Sequence, residues 1–439
     1  MPVFTETRNT VRQAVGRTTG LLMGTFAVTT ASPQGLTSSA FRIKNAGQGA
    51  DLWLYIYTGG GAGQARLSHS AAAPGSPGDS AIFYLAPSFT TTPSTNASFE
   101  AWERVYPPDV NDFIDDAIRA VARRILQPKE DMGIQLDDRL GRWGSFEDWP
   151  NGAAAAPLGF TLNGAGAAVA RESTIKYSGR YSAKVTNATS TAAYLETDNI
   201  PEFPKFADAS CTVKAKVYTT TAARVRLALL DGVNTWYSEY HDGNNGWNGD
   251  DGVVLAISDK TLSKVLTQLK VQLRTETGAA ISVYWGKVWV KVGDHIYEYE
   301  LPQSNATDTA FAYLSEVWME NDLDGVYNIK LPVTWYEIDA TSTPKKLVLI
   351  RPKVDGILVS GRQLKLRGQR HPRLPTADTD NLEVDPEYVR KQASIALTDA
   401  LGWTDAERSR RDRWQREVEQ YLALVTTFPD ADAYPVEAF

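Results

Sequence analysis

The chain has 439 residues, enough for two to four domains of ordinary size. It is 43% hydrophobic, 22% charged and 10% aromatic, as expected of a folded globular protein, and no apolar run approaches the roughly 20 residues of a helical membrane span. A net charge of −7 gives no chain-wide basic field for nucleic acid, and a single cysteine, Cys211, excludes an internal disulfide framework and a cysteine-based zinc cluster. The four histidines stand far apart, without metal-ligand spacing. Twelve tryptophans and 19 tyrosines beside so few His and Cys suit a binding or structural protein better than an enzyme.

Near the start, Arg8, Arg12 and Arg17 precede the apolar stretch Leu21–Val28, a faint imitation of a secretory leader. Glu6 among the bases and the shortness of the run argue against export. The first hundred residues otherwise read as strands and turns. Residues 52–57 (LWLYIY) form a dense β-former run stopped by the glycine-rich stretch 59–63, and 81–85 is another such run. After Pro107-Pro108 the period changes. Asp109 is a good N-cap, and apolar residues from Val110 to Leu126 recur in steps of three and four, which predicts an amphipathic helix ended by Pro128. Asp112, Asp115 and Asp116 early, with Arg119, Arg123 and Arg124 late, complement its dipole. Residues 1–130 are therefore taken as one part, with β elements and a helix.

From about 143 to 293 the chain again reads as short strands separated by Gly, Asn and Asp. Strands are expected at 181–186, 193–196, 211–219, 224–230, 235–240, 253–257, 264–275 and 281–292. About eight strands at this spacing predict an antiparallel β-sandwich or jelly roll. The loop 241–252 (HDGNNGWNGDDG) is rich in oxygen ligands but departs from the EF-hand order, and a long turn-rich hairpin explains it equally well; no metal site is assigned. Trp236, Tyr240 and Trp247 are candidate aromatic contacts for a sugar ring, with Trp247 the best single choice for exposure because it sits in the loop.

Residues 300–439 mix extended segments (333–338, 346–350, 356–359, 363–366) with two helices. Asp385-Pro386 makes an N-cap and first-turn pair, and Gly402 closes that helix; Thr404–Glu407 has the capping-box pattern for the next. The last helix has a narrow apolar seam that includes Trp414 and Tyr421, suited to another chain, to a groove or to a solvated surface position. Between 345 and 373 nine bases face one acid, giving +8, and the next five charges are all acidic, giving −5. Arg362, Lys365, Arg367 and Arg370 of one subunit against Asp378, Asp380 and Glu383 of a neighbour would hold an oligomer together. Nucleic acid is the alternative partner for the basic block, without the interleaved aromatics that stack on bases.

No GxSxG, GxxxxGK[ST] or strand-borne GxGxxG occurs, and no pair of carboxylates is marked for glycan hydrolysis, so no catalytic residue and no cofactor are assigned. Two stretches carry a resemblance. Residues 51–66 (DLWLYIYTGGGAGQAR), with the Pro107-Pro108-Asp109 helix start, and residues 361–368 (GRQLKLRG), with the Asp385–Val389 helix start, resemble segments of tailed-bacteriophage head–tail connector and neck proteins. The middle segment is similar to carbohydrate-binding-module-like jelly rolls, through residues 145–149 (SFEDW) and 177–185 (YSGRYSAKV), which in such modules determine the fold rather than contact sugar.

The resemblance implies a mainly β fold with α, namely a connector module of β elements and helices with an inserted antiparallel sandwich. It implies a structural virion protein at the head–tail junction, assembled in the host cytoplasm as a ring of about twelve identical subunits. Its partners would be the portal protein and adjacent neck or tail proteins, with packaged DNA in the channel and no membrane. The alternative expectation is a glycan-binding fibre or decoration protein that attaches a virion to the host surface.

Overall fold

The computed structural model describes residues 4–41, 50–72, 81–188, 191–247, 254–304, 309–321, 323, 325–402, 405–425 and 434–436. Strands take up 37% of the chain and helices 20%, so the expected mainly β fold with α holds. The chain forms two compact units: Met1–Gln127 with His371–Phe428, and Pro128–Arg370 with Pro429–Phe439.

The first unit opens with helix α1 (Arg8–Thr19), where the sequence reading has only strands and a leader-like segment. The Thr7 side chain accepts a hydrogen bond from the Thr10 amide, and Gly20 closes the helix at φ 76°, in the left-handed region. Gly16 is required here by contact: a Cβ would stand 2.5 Å from the Trp102 ring. Strands β1 (Leu22–Ala27), β2 (Thr30–Ser32), β3 (Gly35–Ser38), β4 (Leu52–Thr58), β5 (Ala65–Ala72), β6 (Ala81–Ala86) and β7 (Ser98–Glu103) form one sheet in the order β1-β7-β4-β5-β6-β3-β2. Helix α2 (Pro107–Ala122) begins two residues before the expected Asp109. Proline lacks the amide that a first turn leaves unsatisfied, so Pro107 and Pro108 sit inside the helix rather than before it. Ile125 and Leu126 lie beyond its end yet remain buried.

In the second unit β8 (Gln127–Gln135) leads into the sandwich, whose strands are β9 (Phe160–Asn163), β10 (Ala167–Glu172), β11 (Ser182–Asn187), β12 (Ala193–Thr197), β13 (Ser210–Tyr218), β14 (Val225–Leu230), β15 (Thr235–Tyr237), β16 (Leu255–Thr261), β17 (Lys270–Thr275) and β18 (Ile281–Val292). They make two antiparallel five-stranded sheets, β10-β11-β18-β13-β16 and β15-β14-β17-β12-β9. Between the sheets lie Val185, Leu195, Val213, Leu227, Leu229, Val271, Leu273 and Trp285, all buried. The sequence reading lacks β9 and β10; alanine-rich text such as 167–170 carries little β signal.

Beyond the sandwich come β19 (Glu298–Glu300), β20 (Tyr313–Glu320), β21 (Tyr327–Lys330), β22 (Tyr336–Asp339), β23 (Lys346–Leu349), the single turn α3 (Arg351–Val354) and β24 (Gln363–Arg370). The sheet β21-β20-β24-β8 and the smaller β19-β23-β22 enclose a second core around Phe311, Leu314, Val317, Met319, Leu347 and Leu364. The strand expected at 356–359 is a turn following α3, closed by the Ile357 amide on the Val354 carbonyl.

The remaining helices, α4 (Pro386–Leu401) and α5 (Asp405–Val425), belong to the first unit. Asp385 caps α4 by accepting from the Glu387 amide, and Gly402 follows its last residue, as the sequence predicts. Thr404 of the expected capping box lies outside the described residues. A short strand β25 (Tyr434–Pro435) pairs with β20 in the second unit. The segment read as one C-terminal part thus divides: residues 300–370 share a unit with the sandwich, whereas 371–428 join the N-terminal elements.

Candidate functional site

The outer face of the sheet β15-β14-β17-β12-β9 carries the site. Strand alternation sends Val225, Leu227, Leu229, Val271, Leu273 and Leu195 inward, so Arg226, Gln272, Arg274, Tyr194 and Glu196 point out. Register places Tyr194 opposite Arg274, Arg274 opposite Arg226, and Glu196 opposite Gln272, with Ala228 carrying the row on to Tyr237. The result is a strip of polar groups with tyrosines at both ends.

That strip is wired internally. Lys270 Nζ and Gln272 Nε2 donate to the two oxygens of Glu196 at 2.9 and 2.6 Å. Arg274 Nη1 donates to Gln272 Oε1 at 2.6 Å. Glu276 Oε1 accepts from Arg226 Nε at 2.9 Å and Arg274 Nε at 3.0 Å. Burial alone would raise the Glu276 carboxyl, but the two guanidinium groups outweigh it and hold it below the usual carboxylate range. The Arg226 guanidinium carbon lies 4.0 Å from the Tyr237 ring centre and 4.8 Å from that of Tyr240, so one cation fixes both rings. Tyr237 and Tyr240 nonetheless stay 45% and 42% exposed, which leaves ring surface free for a ligand. Preorganised donors and acceptors beside exposed flat rings can hold a polyhydroxylated ligand by its hydroxyl groups and its apolar C–H faces.

Of the three aromatic residues proposed from sequence, Tyr240 belongs to this face. Trp236 is half-buried, opposite Leu229, and packs on the sandwich core. Trp247 is also half-buried, because its ring lies 5.7 Å from both Tyr177 and Tyr218. In the oxygen-rich loop, Asp242 and Asn244 accept from backbone amides two residues on, and residues 248–253 lie outside the described residues. No group of three His, Cys, Asp or Glu suited to a metal occurs among the described residues. Sequence reasoning missed Tyr194, Tyr237, Arg226, Arg274 and Glu276. The signal was present in the alternation of 225–229, which sets Arg226 on the face away from the core.

The residues proposed for a subunit interface have partners within their own units. Lys365 and Arg367 pair with Glu130 at 3.2 and 2.7 Å. Arg370 donates to the Thr309 hydroxyl, and Arg362 Nη1 to the Ile357 carbonyl. Asp378 accepts from Arg12 at 2.8 Å and from the Tyr55 hydroxyl at 2.6 Å. Asp380 caps the turn at Thr376-Ala377, and Glu383 accepts from the Arg373 amide. Trp414 is buried against the first unit's helices, and Tyr421 stacks on Tyr388 at 5.0 Å. Both charge blocks are thus largely answered from within their own units.

No family model and no curated protein matches the chain. Solved structures show weak likeness over about a third of it. TmCBM61 in complex with β-1,4-galactotriose is 13% identical, with 35% of this chain and 97% of that chain covered and a TM-score of 0.26. The CBM22-1 xylan-binding domain from Paenibacillus barcinonensis Xyn10C is 15% identical, with 36% and 96% covered and a TM-score of 0.26. The enzymatically active domain of bacteriophage CBA120 tailspike protein 4 is 10% identical, with 36% of this chain and 22% of that chain covered and a TM-score of 0.27.

Proposed function

We propose that the chain binds a glycan on the tyrosine-flanked outer face of its sandwich, in the manner expected of a fibre or decoration protein that attaches a particle to a host surface. One observation carries this reading: Tyr237 and Tyr240 remain more than two-fifths exposed while Arg226 holds them in place beside a satisfied polar strip. The test is a glycan array on the full chain, followed by titration of the best ligand against Tyr237→Ala/Tyr240→Ala. Binding that disappears in the double variant supports the reading. An array without signal, or a double variant that binds as the parent does, removes it.

A second reading, a ring-forming connector at a phage head–tail junction, draws support from the first unit. Within residues 51–66, which carry the resemblance, β4 and the start of β5 pair across the glycine-rich turn. Partners in this reading are further copies of the chain, the portal protein and neighbouring neck or tail proteins. Light scattering and electron microscopy of the chain, alone and with portal rings, separate the two: rings or a complex support the connector, and a monomer indifferent to portal rings eliminates it.

A further inference from the structure

The second unit contains a cavity of about 660 Å³, lined by Glu147–Pro150, Arg171, Arg180 and Tyr181 of the sandwich and by residues 128–131 and 300–304. None of the residues of the tyrosine-flanked face lines it. Four of its five carboxylates are paired, and the fifth, Glu300, is exposed. Arg142 donates to both oxygens of Asp131, at 2.8 and 2.9 Å, and to both of Asp148, at 2.8 and 3.1 Å. Glu147 Oε1 accepts from the Arg180 and Tyr181 amides, and its Oε2 accepts from Arg180 Nε at 2.8 Å. Glu130 answers Lys365 and Arg367.

Two of its arginines keep donor capacity. Arg180 uses Nε on Glu147, and its side chain is still 42% exposed. Arg171 is exposed, and its guanidinium carbon lies 4.4 Å from the centre of the Tyr181 ring. Arg180 lies 5.6 Å from the centre of the same ring. Two guanidinium groups therefore stand near one tyrosine ring in a concavity where four of the five carboxylates are already paired. A surface that offers donors and few acceptors selects a ligand rich in acceptors, and the fork geometry of arginine matches an oxyanion.

We infer that this cavity is a second binding site, independent of the tyrosine-flanked face, for the oxyanion of an acidic saccharide: a uronate carboxylate or a sulfate or phosphate ester. The full chain is titrated calorimetrically at low ionic strength with trigalacturonate, inorganic sulfate and inorganic phosphate. Saturable binding is expected, weakened about tenfold or more in Arg171→Gln, the worth of a pair of charge-assisted hydrogen bonds, and weakened less in Arg171→Lys, which keeps the charge. Competition by all three probes identifies the oxyanion alone as the determinant. Binding of trigalacturonate only adds the sugar ring to it. Arg171→Gln leaves neutral-glycan binding unchanged, and Tyr237→Ala leaves trigalacturonate binding unchanged, so each site can fail without the other. No saturable binding by any probe, or equal affinity in Arg171→Gln, overturns the assignment.

Discussion

The two outer faces of the sandwich began from similar text and met different fates. On one sheet, Arg226, Arg274 and Glu276 face out beside half-exposed tyrosines, with side chains about a fifth exposed. On the other, Lys287 of β18 also points away from the core, yet it is fully buried, and Trp289 on the same face is 2% exposed. The cover comes from the rest of the second unit. Glu320 of β20 meets Lys287 Nζ at 2.7 Å and also accepts from the Gln363 and Gly325 amides. Gly361 lies so close to the Trp289 indole that a Cβ would stand 2.5 Å from it. An alternating strand states which side chains leave the core; it does not state whether water or protein receives them. Exposed charges there are inexpensive and available to a ligand, whereas the buried pair must be fully satisfied or it destabilises the unit.

The sharpest way to break this contrast is Lys287→Met, which leaves Glu320 buried without its cation. A loss of about 3–5 kcal/mol is expected in denaturant unfolding, and Lys287→Met/Glu320→Leu should recover much of it. A loss below about 1 kcal/mol would mean that water reaches the pair.

Asp138 tests the same covered region by pH. It accepts from the Val290 and Leu140 amides, and burial pushes its carboxyl up to about 8, well above its value in an unfolded chain. The native state therefore binds the extra proton. The region should be most stable below about pH 4, lose stability as pH rises from about 4 to about 8, and level off above, with a total change of about a few kcal/mol. Asp138→Asn should flatten that slope in thermal scans taken across pH; an unchanged slope assigns the titration elsewhere.

On the open face the expected stability effects are smaller and the functional ones larger. Tyr237→Ala should cost about 1 kcal/mol of glycan affinity, read by titration, with little change in melting temperature. Arg274→Ala is expected to lower stability by about 1 kcal/mol, since Glu276 keeps its second ion pair with Arg226. A melting-temperature drop matching that of Lys287→Met would erase the distinction between the two faces.

Much of the fold was readable. Eight of the sandwich strands coincide with runs bounded by Gly, Asn and Asp, and α4 follows from Asp385-Pro386 at one end and Gly402 at the other. Helix α1 was not, because its inward residues Val11 and Val15 are two among polar neighbours, and its most buried charged residue is Arg12. That arginine is held by Glu100 at 2.9 Å, Asn111 at 3.0 Å and Asp378 at 2.8 Å, partners up to 366 residues away. Of the tyrosine-flanked site only Tyr240 was named beforehand. Tyr237 is on the outward row of its strand, opposite Ala228, and Tyr240 lies past the strand's end, where alternation no longer applies; Arg226 lies against both rings. Trp247 was favoured for its loop, yet a loop residue can still fold its ring onto a neighbouring sheet.

By itself the sequence determined what depends on neighbours in the chain: the inward and outward sets of each strand, the capped ends of α4 and the turns where glycine adopts positive φ. Only the tertiary structure decided which outward set stays in water. That choice rests on contacts across hundreds of residues, such as Gln135 with Val288 and Lys365 with Glu130, whose effect depends on geometry that no local spacing records. The same rule turned Lys287 into a buried counter-ion and left Tyr237 and Tyr240 at the surface.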